Sequence, residues 1–176
     1  STITGNTATT GSSGVVVLGT PSSDAYFENC IVANNRAVSG GVSFVNGGIF
    51  TAINSTFAYN QATGGEGGVL WHQDATGIFR NSILWGNSAS NGGHNVYFNG
   101  GNMTISDSII ASGGDGNYTN VPHFAGNEIP TIEGFVSEND PMFVDVAGDD
   151  YHIQVISPAV DNGSATYAPD VDIDGD

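Results

Sequence analysis

One seven-residue phrase recurs along this chain and limits what it can fold into. It reads NSTFAYN at Asn54–Asn60, NCIVANN at Asn29–Asn35 and NSILWGN at Asn81–Asn87. Ser1–Asn6 is the same unit caught part-way through, and Ser106–Ser112, SDSIIAS, is a worn copy in which serine replaces the closing asparagine. Marking that closing position puts the copies at Asn6, Asn35, Asn60, Asn87 and Ser112, in steps of 29, 25, 27 and 25 residues. A second marker keeps the same beat: Gly40-Gly41-Val42, Gly67-Gly68-Val69 and Gly92-Gly93-His94. A period in the twenties without helical patterning points to a solenoid.

Between the markers lie short apolar runs of buried-strand length, bounded by Asn, Gly or Asp. The first coil, residues 1–27, contains Val15–Leu18, and turn residues from Gly19 to Asp24 end that run. The second contains Cys30–Ala33, Gly41–Val45 and Ile49–Ile53. The third contains Ser55–Ala58, Gly68–Trp71 and Gly77–Phe79, and the fourth Ser82–Trp85, Asn95–Phe98 and Met103–Ile105. This is the pattern of an all-β, right-handed parallel β-helix of about four coils, each strand pairing with its copy one coil away at ~4.8 Å. Val32, Phe57, Leu84 and Ile109, with Ile3 before them, are expected to form one internal column. The Gly-Gly doublets suit corners that need positive φ. Asn35, Asn60 and Asn87 are expected at another corner, their amides stacked into a structural ladder. An exposed sugar-binding row is the functional alternative, but a corner repeated every coil needs a turn-competent residue whatever the function.

Charge narrows the partners. Only 2 Lys+Arg stand against 18 Asp+Glu in 176 residues, a net charge of -16, and both cations are arginines, Arg36 and Arg80. Such acidity disfavours nucleic acid and anionic membrane surfaces, and it suits a secreted protein in salty or calcium-bearing water. Charged residues are 11% of the chain, too few to imply disorder. Cys30 is alone, which excludes a disulfide framework; it reads as a small buried apolar residue. No apolar run approaches the ~20 residues of a membrane helix. The chain opens inside a repeat, so a fragment or processed product is expected.

The beat is not legible beyond Ser112. Residues 113–138 read as a loop-rich connection, and residues 139–176 as an irregular closing segment with an acidic tail, expected to be truncated. The phrase Asp140-Pro141-Met142-Phe143-Val144-Asp145, followed by Asp150-Tyr151-His152-Ile153 and Ser157-Pro158-Ala159-Val160-Asp161, is similar to the closing segment of secreted bacterial right-handed β-helix proteins. Those proteins belong to the pectate-lyase-like superfamily and often carry a choice-of-anchor sorting region. The Gly-Gly-Val and Phe-Ala-Tyr-Asn elements resemble repeats of chlamydial polymorphic outer-membrane proteins. The resemblance implies a fold and an extracellular or cell-surface place more than an activity, because the superfamily holds lyases, hydrolases and adhesins.

Chemistry is sparse in the coils. The resemblance implies that a lyase would need a calcium-binding acidic cluster and a base, and a hydrolase needs two carboxylates about 5–9.5 Å apart. Asp24, Glu28, Glu66, Asp74 and Asp107 lie at unlike repeat positions, so no acidic column emerges. Trp71, His72, His94 and Tyr97 are the candidate ligand-binding residues. His72 and His94 fall at near-equivalent places one coil apart, in the pKa range for metal binding or acid–base work. Trp71 and Tyr97, with Tyr59 and Trp85, would offer sugar a stacking platform if they face outwards. Asp170, Asp172, Asp174 and Asp176 resemble the start of an EF-hand loop and are candidate calcium ligands. Asp140, Asp145, Asp149 and Asp150 form a second acidic group that would complete the site if the closing segment folds back.

The expectation is a secreted or cell-surface module with a structural, adhesive or glycan-binding role. Its partners would be a polysaccharide, a surface glycan, other surface proteins or neighbouring copies. The runners-up are a polysaccharide lyase or hydrolase and a subunit of an extracellular filament.

Overall fold

The computed structural model describes residues 1–110, 124–126, 130–172 and 174. Its strands, in chain order, are β1 (Thr2–Thr4), β2 (Val16–Leu18), β3 (Asp24–Glu28), β4 (Ile31–Ala33), β5 (Arg36–Ala37), β6 (Ser43–Asn46), β7 (Ile49–Ile53), β8 (Thr56–Ala58), β9 (Gln61–Ala62), β10 (Leu70–Arg80), β11 (Ile83–Trp85), β12 (Ser88–Ala89), β13 (Val96–Ile110), β14 (Phe124–Gly126), β15 (Thr131–Ser137), β16 (Phe143–Asp145) and β17 (Asp150–Ile153). All but the last two pair in parallel with their copies in adjacent coils, giving a parallel β-solenoid of about four turns.

The solenoid has three long faces. The first is built from β2, β6, the start of β10 and the start of β13. The second comes from β3, β7 and the later parts of β10 and β13. The third comes from β1, β4, β8, β11 and the end of β13. A narrow fourth row, β5–β9–β12, turns the chain through the alanines Ala37, Ala62 and Ala89, all buried.

The bore is filled by complementary columns. On the second face Phe27, Ala52, Phe79 and Ile105 follow one another, beside Ala25, Phe50, Gly77 and Met103. Large and small residues therefore alternate diagonally, and Phe50 lies 5.3 Å from Phe27 and 5.5 Å from Phe79 between ring centroids. Each buried ring contributes roughly 1.5–3 kcal/mol relative to exposure.

Two hydrogen-bonded ladders run through the stack. Asn35 Oδ1 accepts from the backbone N–H and Nδ2 of Asn6, Asn60 Oδ1 from those of Asn35, and Asn87 Oδ1 from those of Asn60. Each amide also donates back one coil, Asn35 to Ile3 O, Asn60 to Val32 O and Asn87 to Phe57 O. All three side chains are buried, so the ladder supplies inside the solenoid the polar partners that burial demands. The second ladder is of hydroxyls: the N–H groups of Cys30, Ser55 and Ser82 donate to Ser55, Ser82 and Ser108 Oγ, and those hydroxyls donate to Ile53, Arg80 and Ser106 carbonyls. Cys30 is the first rung of that row. It is half-buried, with Sγ 3.2 Å from Glu28 O, and not a fully buried apolar residue.

Three sequence expectations change. Ile110, not Ile109, completes the column Ile3–Val32–Phe57–Leu84, because the left-handed corner residue of that coil is Asp107 (φ 50), the counterpart of Asn29, Asn54 and Asn81. Aligning on Ser106 shifts the register by one, and Ser112 itself lies outside the described residues. The separate strands expected at 68–71 and 77–79 are one bent strand, β10, as are those at 95–98 and 103–105 within β13. The bends are made by positive φ at Asp74, Gly100 and Gly101, which turn the corner without ending the ladder. Finally, the connection at 113–138 carries β14 and β15, which pair with β13 and continue the solenoid.

The closing segment folds back along the side of the third face. The antiparallel pair β16–β17 brings Phe143, Tyr151 and Ile153, with Ala159, onto Ala33, Ala58, Ile83 and Ile109. Polar clasps hold it across several coils: Asn34 Nδ2 donates to Asp149 Oδ1 and Tyr151 Oη, Asn29 Nδ2 donates to Val171 O, and Asn81 bonds Ser164 through both amide atoms. Asn34→Gly keeps the left-handed backbone there (φ 57) while deleting the clasp. It is expected to cost about 1–2 kcal/mol and to speed hydrogen exchange over residues 149–153 while β4 stays protected. Equal acceleration in β4 would mean that the closing segment and the coils open as one unit.

Candidate functional site

The first face presents an outward row of Val17, Phe44, Trp71 and Tyr97, one residue per coil. Trp71 stacks on Phe44 at 4.2 Å and 4° between ring planes, and Tyr97 stacks on Trp71 at 5.6 Å and 18°. The rings are half-buried and Val17 is exposed, so the solvent meets a ridge of ring edges. Two positions on, also pointing outwards, Asn46, Gln73 and Asn99 form a parallel row of amides. The ridge and the amide row rise together at the ~4.8 Å spacing of the rungs.

Of the sequence candidates, Trp71 and Tyr97 stand together in this ridge. Phe44 was missed, although it holds the same phase, three residues beyond Gly41 as Trp71 is beyond Gly68 and Tyr97 beyond His94. Tyr59 and Trp85 do not join them. Both lie on the third face, where Tyr59 packs on Tyr151 at 6.2 Å beneath the closing segment.

The two histidines are separated. His72 points into the bore between Val45 and Phe98, whose ring it meets edge-on at 5.1 Å. It is fully buried, and neither ring nitrogen makes a hydrogen bond of accepted geometry. Burial pushes its pKa down to about 4, an effect that nearby backbone of His72 and Gly100 and the Asp74 charge offset only in part. His94 sits at the corner above the stacked Gly41 and Gly68 and accepts the Ala89 N–H at Nδ1, 2.8 Å. The register partner of His72 is Phe98, so the near-equivalence read from the two Trp/Gly-His phrases fails by four positions.

The candidate calcium ligands are drawn to other partners. Asp172 Oδ1 accepts the Asp174 N–H, and Asp174 Oδ2 lies 3.2 Å from His152 Nε2. His152 Nδ1 is 2.6 Å from Asp150 Oδ1, a contact that holds the imidazole above and the Asp150 carboxyl below their ordinary ranges. Asp145 caps a short 3-10 turn, Asp140 accepts the Met142 N–H, and Asp149 meets Asn34 and Tyr151. Asp170 is exposed and Asp176 lies outside the described residues. Among the described residues no three His, Cys, Asp or Glu side chains converge as metal ligands. Arg36 is on the exposed fourth row and Arg80 on the second face, so the two cations do not share a surface.

A cavity of about 380 Å³ lies between the third face and the closing segment, floored by Ile31, Thr56, Ile83 and Ile109 and roofed by Tyr151, Ile153 and Ala168. Its floor is the outward aliphatic row of the third face, which no sequence pattern marked as covered. No family model, curated protein or solved structure matches this chain.

Proposed function

We propose that this chain is a secreted or cell-surface β-solenoid module of the pectate-lyase-like kind that acts by binding a linear glycan. The observation that carries this reading is the outward ridge Phe44–Trp71–Tyr97 beside the amide row Asn46–Gln73–Asn99. Ring edges offer apolar contact to sugar C–H groups, and side-chain amides donate to and accept from hydroxyls. A linear polymer laid along the solenoid axis meets the same pair of contacts at every rung. The closing phrase from Asp140 to Asp161 supports an extracellular place through its similarity to secreted β-helix proteins, and the net charge of -16 favours neutral ligands over polyanions.

Affinity electrophoresis in gels containing soluble β-glucan, xylan or chitin oligomers tests the reading. One of these is expected to retard the wild-type chain, and Trp71→Ala to lose at least about tenfold in affinity, the scale of one stacking contact plus its buried area. Retardation unchanged in both Trp71→Ala and Tyr97→Ala would place any glycan elsewhere. Turnover of the polymer, seen as reducing ends or unsaturated product, would make the chain an enzyme instead.

A further inference from the structure

Arg80 and Ser106 are register partners one coil apart, on β10 and β13. Arg80 Nε and Ser106 Oγ are both buried and neither makes a hydrogen bond; Ser106 is only 3% exposed. Their outward row runs Glu28, Ile53, Arg80, Ser106, Glu133, so its carboxylates stand two coils to either side of the guanidinium, about 10 Å at the rung spacing. Among the described residues the ion pairs are those of His152, and none reaches Arg80.

The guanidinium is nonetheless held in place. The ring of Tyr167 lies over Arg80 Cζ with its centroid 4.0 Å away. Tyr167 is set there by a turn, its N–H donating to Ser164 O, and Ser164 is clasped to Asn81, the residue after Arg80, by bonds of 2.9 and 2.8 Å. The ring covers one flat face of the guanidinium and leaves its edge, which carries the N–H donors, free for partners in the guanidinium plane. Buried donors without acceptors are costly, and two on paired residues are met most economically by one group that accepts from both.

We propose that Arg80, Ser106 and Tyr167 form a binding site for a singly charged carboxylate. The planar carboxylate matches the guanidinium fork, one oxygen taking the Nε–H and the Ser106 hydroxyl and the other a terminal N–H. The chain's charge of -16 repels multiply charged anions more steeply than a monoanion, which selects carboxylate over phosphate or sulfate. The site is independent of the aromatic ridge, and its test does not depend on glycan binding.

Only 2 Lys+Arg are present, so the arginine Nε–H region of a nitrogen–proton spectrum holds two signals, and Arg36→Gln assigns them. Sodium acetate, titrated against sodium chloride at constant ionic strength, is expected to shift the Arg80 signal along a saturating curve and to leave Arg36 in place. The same curve should persist in Arg36→Gln, and Ser106→Ala should weaken it by roughly tenfold, the scale of one charge-assisted hydrogen bond. Saturable binding is also expected to raise the melting temperature by about 3–6 °C for each tenfold of acetate above its dissociation constant. No shift, a linear shift of both signals, or an equal response to sulfate at matched concentration would each overturn the assignment.

Discussion

Phe57→Asp is expected not to fold. Phe57 is fully buried at the centre of the bore, 5.7 Å from Phe27, 5.8 Å from Phe79 and 6.2 Å from Phe50 between ring centroids. It also follows Val32 and precedes Leu84 in the column of the third face, so three coils share its ring. A carboxylate there meets aromatic carbon on every side and has no cation within reach, since both arginines, Arg36 and Arg80, point outward. An isolated buried charge costs several kcal/mol even after relaxation, comparable with the whole stability of a domain. Phe57→Ala removes the ring without adding charge, and about 3–5 kcal/mol should lower the melting temperature by on the order of 10 °C in a chain of this size. Circular dichroism and denaturant melts read both. A Phe57→Asp chain that melts with the wild type would mean that the ring is not in the bore.

The legibility of this fold in its sequence follows from which contacts repeat. Residues that stack on copies of themselves announce their period, and so the Asn35–Asn60–Asn87 phrase and the Gly-Gly corners gave the coil length and the strand order. Signals weakened where the stack changes partners. In the Ser106–Ile110 stretch the left-handed corner passes from asparagine to aspartate, which occupies the same backbone region, and the register slipped by one residue there. The strands β14 and β15 pair with β13 without the asparagine or Gly-Gly markers, and so read as loop. Whether a residue faces in or out was the least legible property. His72 and Trp71 are adjacent and polar-looking together, yet strand alternation sends one into the bore and the other to solvent. The Arg80–Ser106–Tyr167 cluster had no sequence signal, because Tyr167 arrives from the distant closing segment and is set over Arg80 by the neighbouring Asn81–Ser164 clasp, a contact that repeats in no other coil among the described residues.

Acid should destabilise this protein through His72 before its carboxylates are fully titrated. The imidazole is neutral and buried when folded, with a pKa near 4 against 6.5 for the unfolded chain. A group depressed in the fold binds protons more readily when unfolded, so stability is complete above pH 6.5 and falls as pH drops from there towards 4. At about 1.36 kcal/mol per pH unit, the loss by pH 4 reaches up to about 3 kcal/mol. His152 acts in the opposite sense, since its raised pKa adds stability below its unfolded value, but it is largely exposed and solvent screens its contribution. His72→Leu isolates the buried group: it fills similar volume between Val45 and Phe98 and removes two ring nitrogens that make no hydrogen bond. Its stability at pH 7 should equal or exceed that of the wild type, because deleting unmet polar atoms from a core is neutral or favourable. The urea midpoints of the two proteins should then separate as pH falls from 7 to 4, in favour of the variant, while titration of the shared carboxylates cancels in the difference. Parallel midpoints across that range would mean that His72 takes up its proton without leaving the fold, and the buried, unpaired imidazole would no longer account for any acid lability.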